Sequence, residues 1–309
     1  QPRLVIARRS AAFAATIAAI SADDRSRLTA LGVAAEVDPK LLIEANALVD
    51  AQCSAVVALP REGQPLRVAR NMDFFPAKVL GPGTLIEIVR LTGCRPYAAV
   101  AWPGSSAIVS GMNDAGLVAC ILLNQSGPEL PGAEPVGLRL AAILQHDHDV
   151  ASAVARFAAT PVASSHYVLL ADATTATIVW QTADGLHRDD PVNGWLTGTN
   201  GERRDHQPQD ARGTCLRGLL AAGPRADAGW MRQVLSASYM PAINAQAMVF
   251  IPATRSLDLA IGTGAKPAAL EPWWRIELGK VLDGGDLTTV PIEVVPASVP
   301  LRHYAAPNR

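Results

Sequence analysis

The chain has 309 residues and a mass of 32.5 kDa, and 49% of its residues are hydrophobic. Its 27 basic and 28 acidic residues are spread evenly and leave a formal net charge of −1, so it has neither a basic face for nucleic acid nor a polybasic membrane segment. The composition indicates a globular protein with a substantial core and a small-molecule or peptide-like partner.

The N-terminal region contains the candidate targeting segment, an alanine-rich stretch over residues 10–21. Its apolar run is too short to span a bilayer. The chain begins at Gln1 rather than Met, so we expect that an upstream piece, a tag or a signal peptide, has been removed. A signal peptide would make the protein periplasmic or secreted, and otherwise we expect it in the cytoplasm.

Residues 1–52 have the spacing of helices. Phe13, Ile17 and Ile20 recur at three- and four-residue intervals, which places them on one helical face. Asp38 followed by Pro39 is typical of an N-cap and a first-turn proline, so we predict a further helix from Pro39 to about residue 50. This segment is expected to pack on the rest of the protein.

The pattern changes from helical to extended at Cys53. CSAVVALP and LRVARNMDF are joined by the turn sequence REGQP and predict a hairpin. Four further strand-like runs follow before residue 125: GTLIEIVRLTG, YAAVAWPG, AIVSGMN and GLVACILLN. Together with the hairpin these make six short strands in about 70 residues, joined by turns, and they predict one largely antiparallel sheet.

The second half of the chain alternates helices and strands. Two helices are predicted between residues 136 and 160, split at HDHD, and two more over residues 210–222 and 228–238. Strands are predicted for HYVLLAD, ATIVWQTADG, GWLTGTN, WWRIEL and the hairpin MVFIPATRSLDLAIGTG. This order is not a βαβ repeat and predicts an α+β sandwich, two sheets flanked by helices.

The four cysteines lack the CxxC spacing of a zinc ribbon or a redox motif. Cys94, Cys120 and Cys215 are expected to be small buried hydrophobic residues. Cys53 differs because the second strand of its hairpin carries Arg70 and Asp73. A nearby guanidinium favours the thiolate, and an aspartate can orient that guanidinium or accept a hydrogen bond from an amine.

Four motifs resemble, in the same order, those of the N-terminal-nucleophile (Ntn) cysteine amide hydrolases. They are CSAVV from Cys53, ARNMDF from Ala69, SGMNDAGL from Ser110, and Thr199-Asn200. The pattern is most similar to the acyl-coenzyme A:6-aminopenicillanic-acid acyltransferase family, which is related to choloylglycine hydrolases and to the acid ceramidase and N-acylethanolamine amidase group. The resemblance spans roughly residues 50–277.

This resemblance implies a four-layer αββα fold of two mainly antiparallel sheets and a precursor that cuts itself between Gln52 and Cys53. Residues 1–52 would become a helical α-subunit that stays bound, and residues 53–309 the catalytic β-subunit. The Cys53 thiol would attack an amide carbonyl while its α-amino group, whose unperturbed pKa is about 7.7–8.0, moves the proton. The chemistry implied needs no cofactor, no metal and no separate histidine.

The resemblance also assigns roles to polar residues. Arg70 would activate the thiol, Asp73 would bind the α-ammonium, and the Asn200 side chain would donate into the oxyanion hole, helped by the backbone at Asn124. Arg217 matches the arginine that follows the Thr-Asn motif in relatives, with Arg212 as the alternative.

Candidate substrate-binding residues are Phe74 and Trp102, as walls of an acyl pocket, and His166, at the head of a strand. The HDHD sequence at residues 146–149 offers alternating metal-ligand types, but no third ligand is identifiable, so a solvated loop is expected there.

The sequence therefore predicts an amidase, activated by self-cleavage, that hydrolyses a linear non-peptide amide of the N-acyl class through a Cys53 thioester. Its expected partners are the small-molecule amide and its own cleaved segment. Two alternatives remain: an acyltransferase that passes the acyl group to an amine, and an uncleaved, non-catalytic binding protein with the same fold.

Overall fold

The computed structural model describes residues 11–47, 51–61, 63–124, 127, 130, 132–164 and 166–292. Three helices form the described part of the N-terminal segment: α1 (Ala11–Ala18), α2 (Ala22–Ala34) and α3 (Pro39–Asn46). The start of α3 is confirmed, because the Asp38 side chain accepts from the Lys40 N–H at the N-cap. The helix ends at Asn46, earlier than predicted, and residues 48–50 lie outside the described residues.

Two antiparallel sheets of seven strands each occupy the centre of the described chain. The first has the order β10-β1-β2-β13-β14-β15-β16, with β1 (Gln52–Ala58), β2 (Arg67–Asp73), β10 (Trp195–Gly198), β13 (Asn244–Ile251), β14 (Ser256–Ile261), β15 (Trp273–Ile276) and β16 (Thr289–Ile292). The second runs from β3 to β9 in sequence order, with β3 (Leu85–Val89), β4 (Tyr97–Ala101), β5 (Ser110–Asn113), β6 (Val118–Leu122), β7 (Tyr167–Ala171), β8 (Ala176–Thr182) and β9 (Gly185–Asp189). A separate short pair joins β11 (Arg203–Arg204) to β12 (Gln207–Pro208).

Helices cover the outer face of each sheet. The remaining described α-helices are α4 (Ala77–Leu80), α5 (Val136–His146), α6 (Val150–Ala159), α7 (Ala211–Ala221), α8 (Ala228–Ser238) and α9 (Leu278–Leu282). One apolar core lies between the sheets, a second under α5 and α6, and a third under α7 and α8. The predicted αββα sandwich is therefore confirmed. None of the described helices is long and apolar enough to cross a bilayer.

The alternation of side chains along β1 positions the cysteine. Cys53, Ala55 and Val57 face the core between the sheets, whereas Val56 and Ala58 face α8. Successive residues of a strand point to opposite faces, so this register fixes the Cys53 thiol inside the sandwich.

The predicted strands, hairpins and four helices of the second half are confirmed, with two differences. The hairpin β1–β2 and the strands β3–β6 belong to different sheets, because the chain crosses over through α4 between them. The edge strands β9 and β16 and the short pair β11–β12 were not predicted. The strands β9 and β16 are largely exposed, so their sequences lack the apolar alternation that marks a half-buried strand. The strands β11 and β12 have only two residues each, which is too short for any periodicity.

Candidate active site

Cys53 lies near the start of β1, between β2 and β10, and its side chain is fully buried. In the β1–β2 register Cys53 pairs with Met72 and Ala55 pairs with Arg70, so Arg70 is a diagonal neighbour of Cys53 on the same face. Arg70 Nη2 lies 3.0 Å from Cys53 Sγ. The hairpin predicted from the sequence thus brings the thiol and the guanidinium into contact.

Neutral groups hold the rest of the Arg70 guanidinium. Its Nη1 donates to Val109 O at 2.9 Å and to Ser110 Oγ, and its Nη2 donates to Ile121 O. Arg70 is fully buried and always charged. Of the described groups within hydrogen-bonding distance of it, the Cys53 thiol is the one that can become an anion.

Two opposing influences act on the Cys53 thiol. Burial raises its pKa above the ordinary value, and Arg70 opposes this shift by favouring the thiolate. Burial dominates, so the thiol keeps its proton until a base removes it. The second thiol of this core, Cys120, has its pKa raised to about 11 by burial and also remains protonated.

Asn200 follows strand β10, which pairs with β1 on the edge that does not pair with β2. Ala55 pairs with Gly198 of β10, and continuing this register two residues places Asn200 beside Cys53. Asn200 Oδ1 accepts from the Cys53 backbone N–H at 2.8 Å, and Nδ2 donates to Leu123 O at 2.8 Å. An amide nitrogen carries two hydrogens, so one remains for an oxyanion.

Asp73 lies on the opposite face of β2, near the first turn of α7 and the residues that follow α8. Its carboxylate accepts from Arg212 Nη1 at 2.8 Å, Asn244 Nδ2 at 2.9 Å and Met240 N at 3.2 Å. Burial raises the pKa of Asp73 to about 6, against the effect of Arg212 and these donors. The group is therefore ionised at neutral pH.

Arg212 joins the two polar groups around β1. Besides Asp73, it donates to Asn200 Oδ1, which in turn accepts from the Cys53 N–H. The described contacts thus connect Asp73 to the Cys53 nitrogen through Arg212 and Asn200 rather than directly.

Arg217, the arginine predicted at the site, points elsewhere. Its Nη1 donates to Pro208 O and its Nη2 to Thr214 Oγ1 at 2.9 Å. Five residues of a helix correspond to about 500° of rotation, so Arg217 lies on a different face of α7 from Arg212. The structure thus places the alternative, Arg212, at the site.

Asn124 and His166 lie near the end of β6. Asn124 is half-buried, and its carbonyl accepts from Gly127 N at 3.3 Å. Leu122 pairs with Tyr167, so the buried His166 lies beside the same strand end, where its Nδ1 contacts Ser164 Oγ. Both residues are close to Leu123, whose carbonyl holds Asn200.

Phe74 and Trp102 line a cleft of about 180 Å³, with their ring centroids 5.9 Å apart. Ala51 and Val109 also line it. Cys53 Sγ lies 3.5 Å from Ala51 O, and Val109 O accepts from Arg70, the arginine that contacts the thiol. The cleft is therefore adjacent to the nucleophile, although Cys53 itself is not among the residues that line it. Its opposite wall comes from α3 (Leu42, Ala45, Asn46), a contribution that no local pattern in the sequence indicates.

Ser110 is a further residue that sequence reasoning missed. In the sequence it belongs to a turn motif, but its fully buried hydroxyl contacts Arg70 Nη1. The available signal was that Ser110 is the first residue of SGMNDAGL, one of the four motifs that carry the resemblance described above.

No group of three or more His, Cys, Asp or Glu side chains within the described ranges is arranged to hold a metal ion. In the HDHD sequence, Asp149 caps α6 by accepting from Ser152 N at 2.8 Å. That carboxylate therefore has a structural role.

Comparison with known proteins gives similarity at the level of structure. No protein-family model matches the chain, and neither does any curated protein. An N-acylethanolamine-hydrolyzing acid amidase ortholog from Caenorhabditis elegans superposes with a TM-score of 0.55 at 18% identity, over 71% of this chain and 98% of that one. A mutant of the conjugated bile acid hydrolase from Clostridium perfringens gives 0.52 at 13% identity, over 78% and 97%. The chain thus shares the fold of two large antiparallel sheets with these two proteins.

Proposed function

We propose that the protein is an amidase that hydrolyses a linear, non-peptide amide of the N-acyl class, with Cys53 as its nucleophile. The two neighbours of the same fold are named for the hydrolysis of N-acylethanolamines and of conjugated bile acids, both of which are acyl amides. The observation that carries the proposal is the 3.0 Å contact between Arg70 and Cys53 Sγ in a buried layer.

Self-cleavage is the first step of the proposed mechanism. The Cys53 thiol attacks the carbonyl carbon of Gln52, the peptide nitrogen leaves with a proton, and a thioester joins Gln52 to the Cys53 sulfur. Water hydrolyses this thioester and releases the Gln52 carboxylate. Cys53 then carries both a free thiol and a free α-amine.

Amide hydrolysis uses both of these groups. The α-amine accepts the thiol proton, and the sulfur, stabilised by Arg70, attacks the substrate carbonyl. The second amide hydrogen of Asn200 and a backbone N–H near Asn124 stabilise the oxyanion. The α-ammonium protonates the leaving amine, which leaves an acyl thioester on Cys53.

Deacylation repeats the proton transfers with water. The α-amine takes a proton from water, the resulting hydroxide attacks the thioester, and the thiolate leaves and is reprotonated. Asp73 contributes by holding Arg212, which orients Asn200 next to the Cys53 nitrogen. The carboxylate also favours the protonated α-amine electrostatically.

The mass of the purified protein tests self-cleavage. For the native protein we expect two fragments, one that ends at Gln52 and one that begins at Cys53. For Cys53→Ala we expect a single intact species. Hydrolysis is then measured on a panel of N-acyl amides. An uncleaved protein that hydrolyses these amides would contradict the α-amine mechanism, and a cleaved protein inactive on the whole panel would contradict the amidase assignment.

A further inference from the structure

The cleft beside Cys53 has walls that are largely apolar. Leu42, Leu80, Phe74 and Trp102 contribute its large side chains, and no charged residue is among the described residues that line it. An ionised acyl group would lose its hydration there without gaining a partner. The walls therefore favour an uncharged, apolar group.

The polar side chains that line the cleft are already hydrogen-bonded within the protein. Asn46 Nδ2 donates to Leu42 O at 2.8 Å and to Gly104 O at 2.9 Å, and its Oδ1 accepts from Ser106 N and Ala107 N at 2.6 and 2.7 Å. These four bonds use the full capacity of the amide.

Two further polar groups are occupied in the same way. Trp102 Nε1 donates to Leu80 O at 2.7 Å, and Ser105 Oγ donates to Ala107 O at 2.9 Å. A substrate in the cleft therefore gains apolar contacts there rather than hydrogen bonds from these side chains.

The volume of the cleft limits the size of its occupant. It measures about 180 Å³, and an apolar cavity of roughly 150 Å³ is known to hold benzene. A phenyl ring or a chain of about six carbons fills such a space, whereas a long fatty acyl chain would have to extend beyond the apolar walls.

From these observations we infer that the cleft is the acyl site, that it takes an apolar acyl group of phenylacetyl or hexanoyl size, and that Leu42 of the N-terminal segment sets this limit. The inference rests on the proposed amidase function. The size limit distinguishes this protein from an enzyme that hydrolyses long-chain acyl amides.

The role of Leu42 follows from its position. It belongs to α3, which lies before the proposed cleavage point, and it lines the cleft on the wall facing Trp102 and Gly104. A Cβ built on Gly104 would lie 2.9 Å from Leu42 Cδ2, so the two walls are in close contact. Asn46, one helical turn further, bonds this helix to residues 104–107.

The test measures kcat/KM for acetyl, hexanoyl, phenylacetyl, decanoyl and hexadecanoyl amides of one chromogenic amine. For the native, self-cleaved protein we expect a maximum at hexanoyl or phenylacetyl and a loss of at least about 10-fold at decanoyl, because single methylenes in a tight apolar pocket have effects of that size. A maximum at hexadecanoyl would overturn the size limit while leaving the amidase function intact. Hydrolysis of no amide by a cleaved protein would instead refute the amidase function.

Two substitutions of opposite size test Leu42 itself. Leu42→Ala should raise the decanoyl-to-hexanoyl ratio of kcat/KM by about 10-fold, and Leu42→Phe should shift the maximum toward acetyl. The matched control is Leu41→Ala, since Leu41 is the adjacent α3 residue, is 44% exposed and does not line the cleft. An unchanged acyl profile in both folded Leu42 variants, or an equal shift in Leu41→Ala, would overturn the assignment.

Discussion

The two faces of the β1–β2 hairpin carry different charge arrangements. On the face between the sheets, Arg70 is a buried cation whose described hydrogen-bond partners are neutral, with the Cys53 thiol among them. On the face toward α7, Asp73 and Arg212 form a buried ion pair at 2.8 Å. On the first face, Arg70 gains a counter-ion when the Cys53 thiol ionises. On the second face, the charges of Asp73 and Arg212 already balance each other, and Arg212 positions Asn200.

Removing the cation from the first face should have the largest effect. Arg70→Met leaves the thiolate without electrostatic stabilisation while preserving much of the buried volume, and we expect turnover to fall by on the order of 10³-fold. The measurement is kcat on the hexanoyl amide together with the extent of self-cleavage. Retention of more than about a tenth of native turnover in a folded variant would contradict the role of Arg70.

Breaking the second face should affect stability first. Arg212→Met leaves the Asp73 carboxylate buried without its partner, and a broken buried pair typically costs about 3–5 kcal/mol in the free energy of unfolding. Arg217→Met is the matched control, because this arginine lies on another face of the same helix, and its cost should stay within about 0.5 kcal/mol. Denaturant titrations measure both. An equal loss of unfolding free energy in Arg212→Met and Arg217→Met would show that the ion pair of Asp73 with Arg212 does not stabilise the fold.

Asn200 connects the two faces, and its truncation should mainly affect the chemistry. Asn200→Ala removes the proposed oxyanion donor, for which about 10²–10³-fold in kcat is typical, while self-cleavage remains partly intact. Steady-state kinetics on the cleaved variant provide the measurement. Near-native kcat would exclude Asn200 as an oxyanion donor.

Because of Asp73, the stability of the fold and the rate of turnover should respond to pH in opposite directions. Its pKa is about 6 in the folded protein, above the ordinary value of 3.8, so the stability from this group is present below pH 3.8 and is lost as the pH rises through 6. Turnover requires the carboxylate and should instead fall about 10-fold per pH unit below 6. Parallel profiles of melting temperature and kcat test this, with Asp73→Asn expected to remove the stability component. Activity that is constant from pH 7 to 4.5 would contradict it.

Local spacing was enough to predict the first face. The REGQP turn between two extended runs brings Arg70 back beside Cys53, and period-two alternation puts both side chains on one face. The helices and most strands were predictable for the same reason. The exposed edge strands β9 and β16 were not, because little apolar pattern marks them.

The second face and the cleft depend on long-range packing. The choice of Arg212 over Arg217 is set by the phase of α7 relative to β2, which depends on how that helix packs on the sheet. Likewise, Leu42 and Asn46 reach the cleft because α3 docks on residues 104–107. Sequence periodicity identifies the apolar face of a helix but not the surface it covers.

Trapping the acyl-enzyme tests the central claim most directly. The self-cleaved protein is mixed with the phenylacetyl amide, quenched in acid within one turnover, and its fragments are weighed and sequenced by mass spectrometry. The account predicts a fragment that begins at Cys53 and carries one phenylacetyl group on the Cys53 sulfur. An acyl group on any other residue, or a fragment that begins elsewhere, would contradict it.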